Sequence, residues 1–299
     1  MKRKSASSGG PISVAAVRDL LLVHLDVVAA RLKKDRSMTV VDVHDARKSI
    51  KRARAILRLL RPSLAEHEFA RSKLELRQAG RSMSAVRDAQ VIADRFDEML
   101  QRTDIPESSV RGLADSLRAE AALVDQGLAA RASSPAAALA AITATRKRLA
   151  RTSLPATDWG PLGAGLRSIY RRGRQRMPGK ADHASAKAMH EWRKQVKAYW
   201  HALEVFMPVR ATQIDRAIGD AHRLADLLGE DHDLVLLADK LQTIGGAPEE
   251  PIQKLLDAIE LRRRQLGRRA SKIGAVLYAE PPAVMEKRRR HDWQKWRKE

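Results

Sequence analysis

One pattern, His-x-x-Arg-Lys-x-x-Lys, occurs twice in strict register: His44, Arg47, Lys48 and Lys51, then His190, Arg193, Lys194 and Lys197, each member returning 146 positions later. The register extends past the motif. Pro62 and Pro208 close the two segments at the same offset, and Thr39 and Ser185 stand five residues before each histidine, where a helix N-cap belongs. An internal duplication is the simplest reading. It constrains the fold, because whatever one copy's segment forms the other must form too. A basic motif presented twice points to an extended anionic ligand.

The first copy reads as an amphipathic helix. At about 100° per residue, His44, Arg47, Lys48 and Lys51 share a face that Arg54, Arg58 and Arg61 continue, while Val43, Ala46, Ile50, Ala53, Leu57 and Leu60 line the opposite one. The second copy repeats this with Met189, Trp192, Val196, Tyr199, Leu203 and Phe206 on the packing side. Its basic stripe ends earlier, since Trp200 and Glu204 take the places of Arg54 and Arg58. Like charges three and four apart weaken a helix by a few tenths of a kcal/mol per pair, so such a stripe works against local stability. Arginine forks and lysine point charges mixed along one face suit a string of phosphates better than a single carboxylate. Histidine adds a donor whose protonation a nearby phosphate favours.

Apolar spacing is helical almost everywhere, and no run of alternating β-branched residues suggests a strand, so the fold class is all-α. Helices are predicted over 13–35, 42–61, 64–101 and 107–131, and the shifted set over 158–177, 186–207, 210–244 and 249–278: two four-helix bundles. The organisation predicted is a first repeat over 12–131, a linker helix over 132–157, a second repeat over 158–280 and a basic C-terminal helix over 281–299. Ser133-Ser134-Pro135 opens the Ala-rich linker helix, and Pro155 through Gly165 supplies the breakers that end it. The last segment, with Arg288, Arg289, Arg290, Trp293 and Trp296, either caps the bundle or stays mobile. Further basic rows fall at helical spacing: Lys73, Arg77 and Arg81, then Arg167, Arg171 and Arg174, all candidates to line the same groove.

Charge sets the class of partner. Fifty-seven Lys and Arg against 36 Asp and Glu leave a formal +21, which repels itself in a compact fold unless a polyanion or anionic surface compensates it. With no cysteine there is no disulfide framework, thiolate metal site or Cys nucleophile. Arg18, Asp19, His24 and Asp26 interrupt any signal-peptide core, and the longest uncharged stretch, Ala132 to Thr145, falls short of the roughly 18 residues of a membrane span. The expectation is a soluble intracellular protein.

Catalytic signals are thin. There is no Gly-rich phosphate loop, His-Glu-x-x-His or Gly-x-Ser-x-Gly. Asp231-His232-Asp233 could hold a cation on paper, but neighbouring helical residues point apart, and Glu66-His67-Glu68 reads as a helix start after Pro62. Arg87-Asp88 and His232-Asp233 form a weaker echo, their acids suited to orienting arginines. No metal, cofactor or catalytic residue is expected.

The two segments, Val43 through Arg52 with Leu59-Leu60-Arg61-Pro62, and Met189 through Lys197, resemble the conserved histidine α-helical domain, CHAD, over about residues 12–297. The resemblance implies two four-helix bundles related by a pseudo-twofold axis, with a basic central channel that binds inorganic polyphosphate and places the protein on polyphosphate granules in the cytoplasm. Carried over by position, the contacts are His44, Arg47, Lys48 and Lys51, and His190, Arg193, Lys194 and Lys197. Some members of that family follow a CYTH triphosphatase domain marked by Glu-x-Glu-x-Lys. Here Glu66-x-Glu68 lacks the lysine, so a stand-alone, noncatalytic binding module is expected. Two alternatives stand beside it. A nonspecific nucleic-acid binder is supported by charge alone, because the few aromatics fall on packing faces. An enzyme of polyphosphate metabolism would need an acidic metal cluster that the chain does not display.

Overall fold

The computed structural model describes residues 12–33, 39–82, 85–131, 135–154, 159–244 and 248–298. Its helices are α1 (Val14–Leu32), α2 (Val40–Leu59), α3 (Glu66–Ser82), α4 (Ala85–Leu100), α5 (Glu107–Arg131), α6 (Pro135–Arg151), α7 (Trp159–Arg176), α8 (Ala186–Glu204), α9 (Thr212–Thr243), α10 (Glu249–Leu277) and α11 (Pro282–Trp296). No strand occurs among the described residues, so the fold is all-α.

Both motif helices start and stop as their sequence dictates. Thr39 caps α2 by accepting from the Asp42 amide at 3.2 Å while Asp42 accepts from the Thr39 amide at 3.3 Å, a reciprocal capping box. Ser185 caps α8 through the Ala188 amide at 3.3 Å. Pro62 and Pro208 each sit in a short 3-10 turn just beyond, Arg61–Ser63 and Met207–Val209, where the missing amide cannot continue an α-helix. Every residue assigned to the two packing faces is buried, Trp192 and Val196 completely.

The stretch expected as one helix over 64–101 is described as α3 and α4, with residues 83–84 between them outside the described residues; α3 packs on α2 and α6, whereas α4 packs on α5 and α9. One expectation needs correction. The glycines read as breakers after Pro155 lie inside α7. A Cβ at Gly163 would fall 2.4 Å from the Trp159 indole nitrogen, and one at Gly165 would fall 2.0 Å from the Leu59 carbonyl oxygen, so these positions serve close packing.

The Ala-rich segment read as a linker is a packed helix. α6 lies on α1 and α3, burying Ala138, Ile142 and Leu149, and its polar side is engaged as well. Arg146 donates to Asp26 at 3.0 Å, and Arg148 reaches Glu75 at 2.6 Å and Ser72 at 3.1 Å. Around α8, helices α7, α9 and α10 form the other bundle. Its centre is aromatic: Tyr170, Tyr199 and Tyr278 meet at 5.2 to 6.0 Å, and Trp159 touches Phe206 at 5.6 Å and Trp293 at 5.7 Å. The basic end segment caps this core as α11. Its Arg289 is buried and donates to Asp292 and the Gln213 carbonyl, both at 3.2 Å.

Candidate functional site

Where α2 packs against α8, the two motif helices face each other, and α3 lies along α2 beside them. Between the three opens a cavity of about 540 Å³. α2 contributes Arg47, Ile50, Lys51, Arg54, Ala55 and Arg58, and α3 contributes Lys73, Arg77, Gly80 and Arg81. α8 contributes His190, Glu191, Arg193, Lys194, Gln195, Lys197, Ala198 and His201. Ten of these eighteen residues are Lys or Arg and one is acidic, and that one, Glu191, is held by Lys194. Ala55, Gly80 and Ala198 are the small residues of this lining.

The positive charges crowd one another. Burial, then the charges of Arg77 and Arg81, lower Arg54 below its ordinary pKa. Burial, Arg54 and then Arg172 bring Arg58 down to about 10. His190 is lowered by burial first, then by Lys194 and Arg193, with Glu191 opposing. Its Nδ1 is buried without a hydrogen-bond partner among the described residues, and its ring lies 4.6 Å from that of His232. An anion entering the cavity relieves this repulsion and favours the protonated imidazole.

Beside the lining residue His201, Arg52 of α2 grips Glu204 of α8 with two bonds, at 3.1 and 3.2 Å, and His201 Nδ1 meets the same carboxylate at 3.0 Å. Glu204 is drawn down to about 2: burial opposes its ionisation, but the bonds from His201 and Arg52 outweigh it. The residue that ends the second basic stripe thus ties the two motif helices together. Trp200, the other departure, stacks on His201 at 4.5 Å and on His222 at 4.3 Å.

Of the residues selected from sequence, Arg47, Lys51, Arg54, Arg58, Lys73, Arg77, Arg81, His190, Arg193, Lys194 and Lys197 line the cavity. His44 and Lys48 are exposed and lie outside the lining, so the two copies contribute unequally: Lys194 lines the cavity and its counterpart Lys48 does not. The α7 set, Arg167, Arg171 and Arg174, is also outside it, and the Arg174 Nε donates to the Tyr278 carbonyl at 3.1 Å. His201 was legible in principle, eleven residues after His190 on the same stripe. Elsewhere, Asp231 pairs with Arg263 at 3.0 Å and Asp233 lies 4.0 Å from Arg95, while Glu66 holds Arg61 at 2.8 Å and Glu68 pairs with Arg148. The side chains of Arg87 and Asp88 lie outside the described residues. No helix is long and apolar enough to cross a membrane among the described residues.

Residues 19–242 match the family model of the CHAD domain. No curated protein matches the chain. Among solved structures, the CHAD domain from the plant Ricinus communis is 18% identical, with a TM-score of 0.62 over 93% of this chain and 96% of that one. PptA from Streptomyces chartreusis is 13% identical, with a TM-score of 0.62 over 95% of this chain and all of the other. At such identities the likeness is one of fold. With the family model running across well over half of its length, the chain belongs to the CHAD domain family.

Proposed function

We propose that this chain binds inorganic polyphosphate in the cavity between α2, α3 and α8, without turning it over, and so gathers wherever such chains accumulate. The observation that carries this is the lining itself: ten Lys and Arg from three helices, opposed by a single carboxylate that Lys194 already engages. Guanidinium forks and ammonium points spread over two facing walls match a flexible chain of evenly charged phosphates. Family membership supports the same reading. So does the placement of the large aromatics: Trp192, Tyr199 and Phe206 are buried, and among the described residues the rings lining the cavity are the imidazoles of His190 and His201, where a nucleic-acid binder would offer stacking platforms.

The test is competition at physiological salt between labelled long-chain polyphosphate and unlabelled polyphosphate, duplex DNA or single-stranded RNA. Polyphosphate should displace the label at far lower concentration than either nucleic acid; equal competition would favour the nucleic-acid reading. Arg54→Ala with Arg77→Ala removes one cation from each of two walls. At about 1.5 kcal/mol or more for each charge-assisted bond, affinity should fall about a hundredfold. In cells, a fluorescent fusion should concentrate on polyphosphate-rich bodies and disperse when it carries those two substitutions. Incubation with the wild type should release no orthophosphate.

A further inference from the structure

α7 carries five arginines, Arg167, Arg171, Arg172, Arg174 and Arg176, and no acidic residue. Two of them continue a stripe that begins at Gly165. Seven and eleven residues onward, Arg172 and Arg176 return to within about 20° of that glycine around the helix. Gly165 marks the side of α7 that meets α2, since its Cα is bare where the Leu59 carbonyl presses in. Arg172 and Arg176 carry that side on toward the C-terminal end of α7.

Two walls of the cavity register their charges. Arg58, on α2, is lowered by burial, by Arg54 and then by Arg172. Glu191, on α8, is lowered first by its bond to Lys194 and, more weakly, by the charge of Arg176. One guanidinium therefore stands by the α2 wall and the other by the α8 wall. Both are exposed, and neither makes an ion pair among the described residues. The helix dipole accounts for a cation in the last turn of α7, but not for Arg172 a turn earlier, and like charges four apart weaken the helix.

We infer that Arg172 and Arg176 form a further phosphate-binding rail on α7, which takes oxyanions of a linear polyphosphate where it leaves the cavity. The inference rests on the polyphosphate reading above. It differs from the sequence expectation, which chose Arg167, Arg171 and Arg174 on other sides of the same helix.

The experiment titrates the full chain with long polyphosphate and with tripolyphosphate at one fixed ionic strength. Three proteins are compared: wild type, Arg172→Ala with Arg176→Ala, and Lys147→Ala with Arg151→Ala, a control that removes two exposed cations from α6. The rail predicts that the α7 variant loses about tenfold in affinity for the long chain, a discounted figure for exposed contacts. It should keep tripolyphosphate affinity within about twofold, because three phosphates fit inside the cavity, and the control should keep both. An α7 variant that matches the control on the long chain, or loses both ligands in equal proportion, overturns the rail while leaving the cavity intact. Failure of the wild type to bind either ligand overturns the polyphosphate reading and the rail with it. Circular dichroism confirms that each variant retains its helix content.

Discussion

His24 on α1 sits beside Arg52, Glu204 and His201, and burial is the main reason its imidazole is pushed down to about 4, with Arg52 adding to the effect and Glu204 opposing it. An unfolded chain's histidine takes a proton near pH 6.5, whereas the folded one resists until about 4. The stability this neutral imidazole contributes is therefore complete above pH 6.5 and is lost as pH falls toward 4. His201, also lowered by burial first, acts in the same direction. At pH 5, where most carboxylates are still ionised, His24 should account for about 1–2 kcal/mol of the loss. Urea midpoints at pH 7 and pH 5 check this: His24→Gln should shrink the difference, and an unchanged difference would exclude His24 as the source. Nothing in the sequence marks His24, because its neighbours come from α2 and α8, far along the chain. Arg54 and Arg58 were legible because helical spacing alone places them beside Arg47 and Lys51. Which of Arg171 and Arg172 shares the side of α7 that meets α2 was not, since adjacent residues point about 100° apart and only the seat of Gly165 on Leu59 decides it.

Between elements, the ends of α2 and α8 were readable to within a few residues because caps and prolines act locally. What spacing does not reveal is which helix packs on which. α6 carries an apolar row that suits any bundle, and only the tertiary structure shows it buried on α1 and α3. The Arg52–Glu204 fork is another such feature, invisible as a pair 152 positions apart and central to how α2 meets α8. Glu204→Ala leaves Arg52 part-buried without its partner, and should cost about 1–3 kcal/mol in a denaturant titration, discounted from the fully buried case. Gly165→Ala forces a methyl group against the Leu59 carbonyl where α7 crosses α2. A loss of about 1–3 kcal/mol is expected, with α7 displaced. If both variants melted with the wild type, neither contact would hold these helices in place.

For the molecule as a whole, the all-α class was legible from periodicity, and a charge of +21 points to an anionic partner. The unequal use of the two motif copies was not, because it depends on α3 lying beside α2. A chain so charged should melt at higher temperature as polyphosphate is added, and its affinity should fall steeply with salt as condensed counterions lose their entropic advantage. Affinity should also rise with phosphate chain length, since a ligand spanning both walls makes its second contact at high effective concentration. Orthophosphate bound as tightly as a long chain would contradict this. One further consequence follows from the seat of α4 on α9. α4 ends at Leu100 and α9 begins only at Thr212, so on the ribosome α4 emerges with α2 and α5 to pack on but without α9. At about 5–20 residues per second, roughly ten seconds pass before α9 follows. The apolar side of α4 is thus made well before one of the helices that covers it.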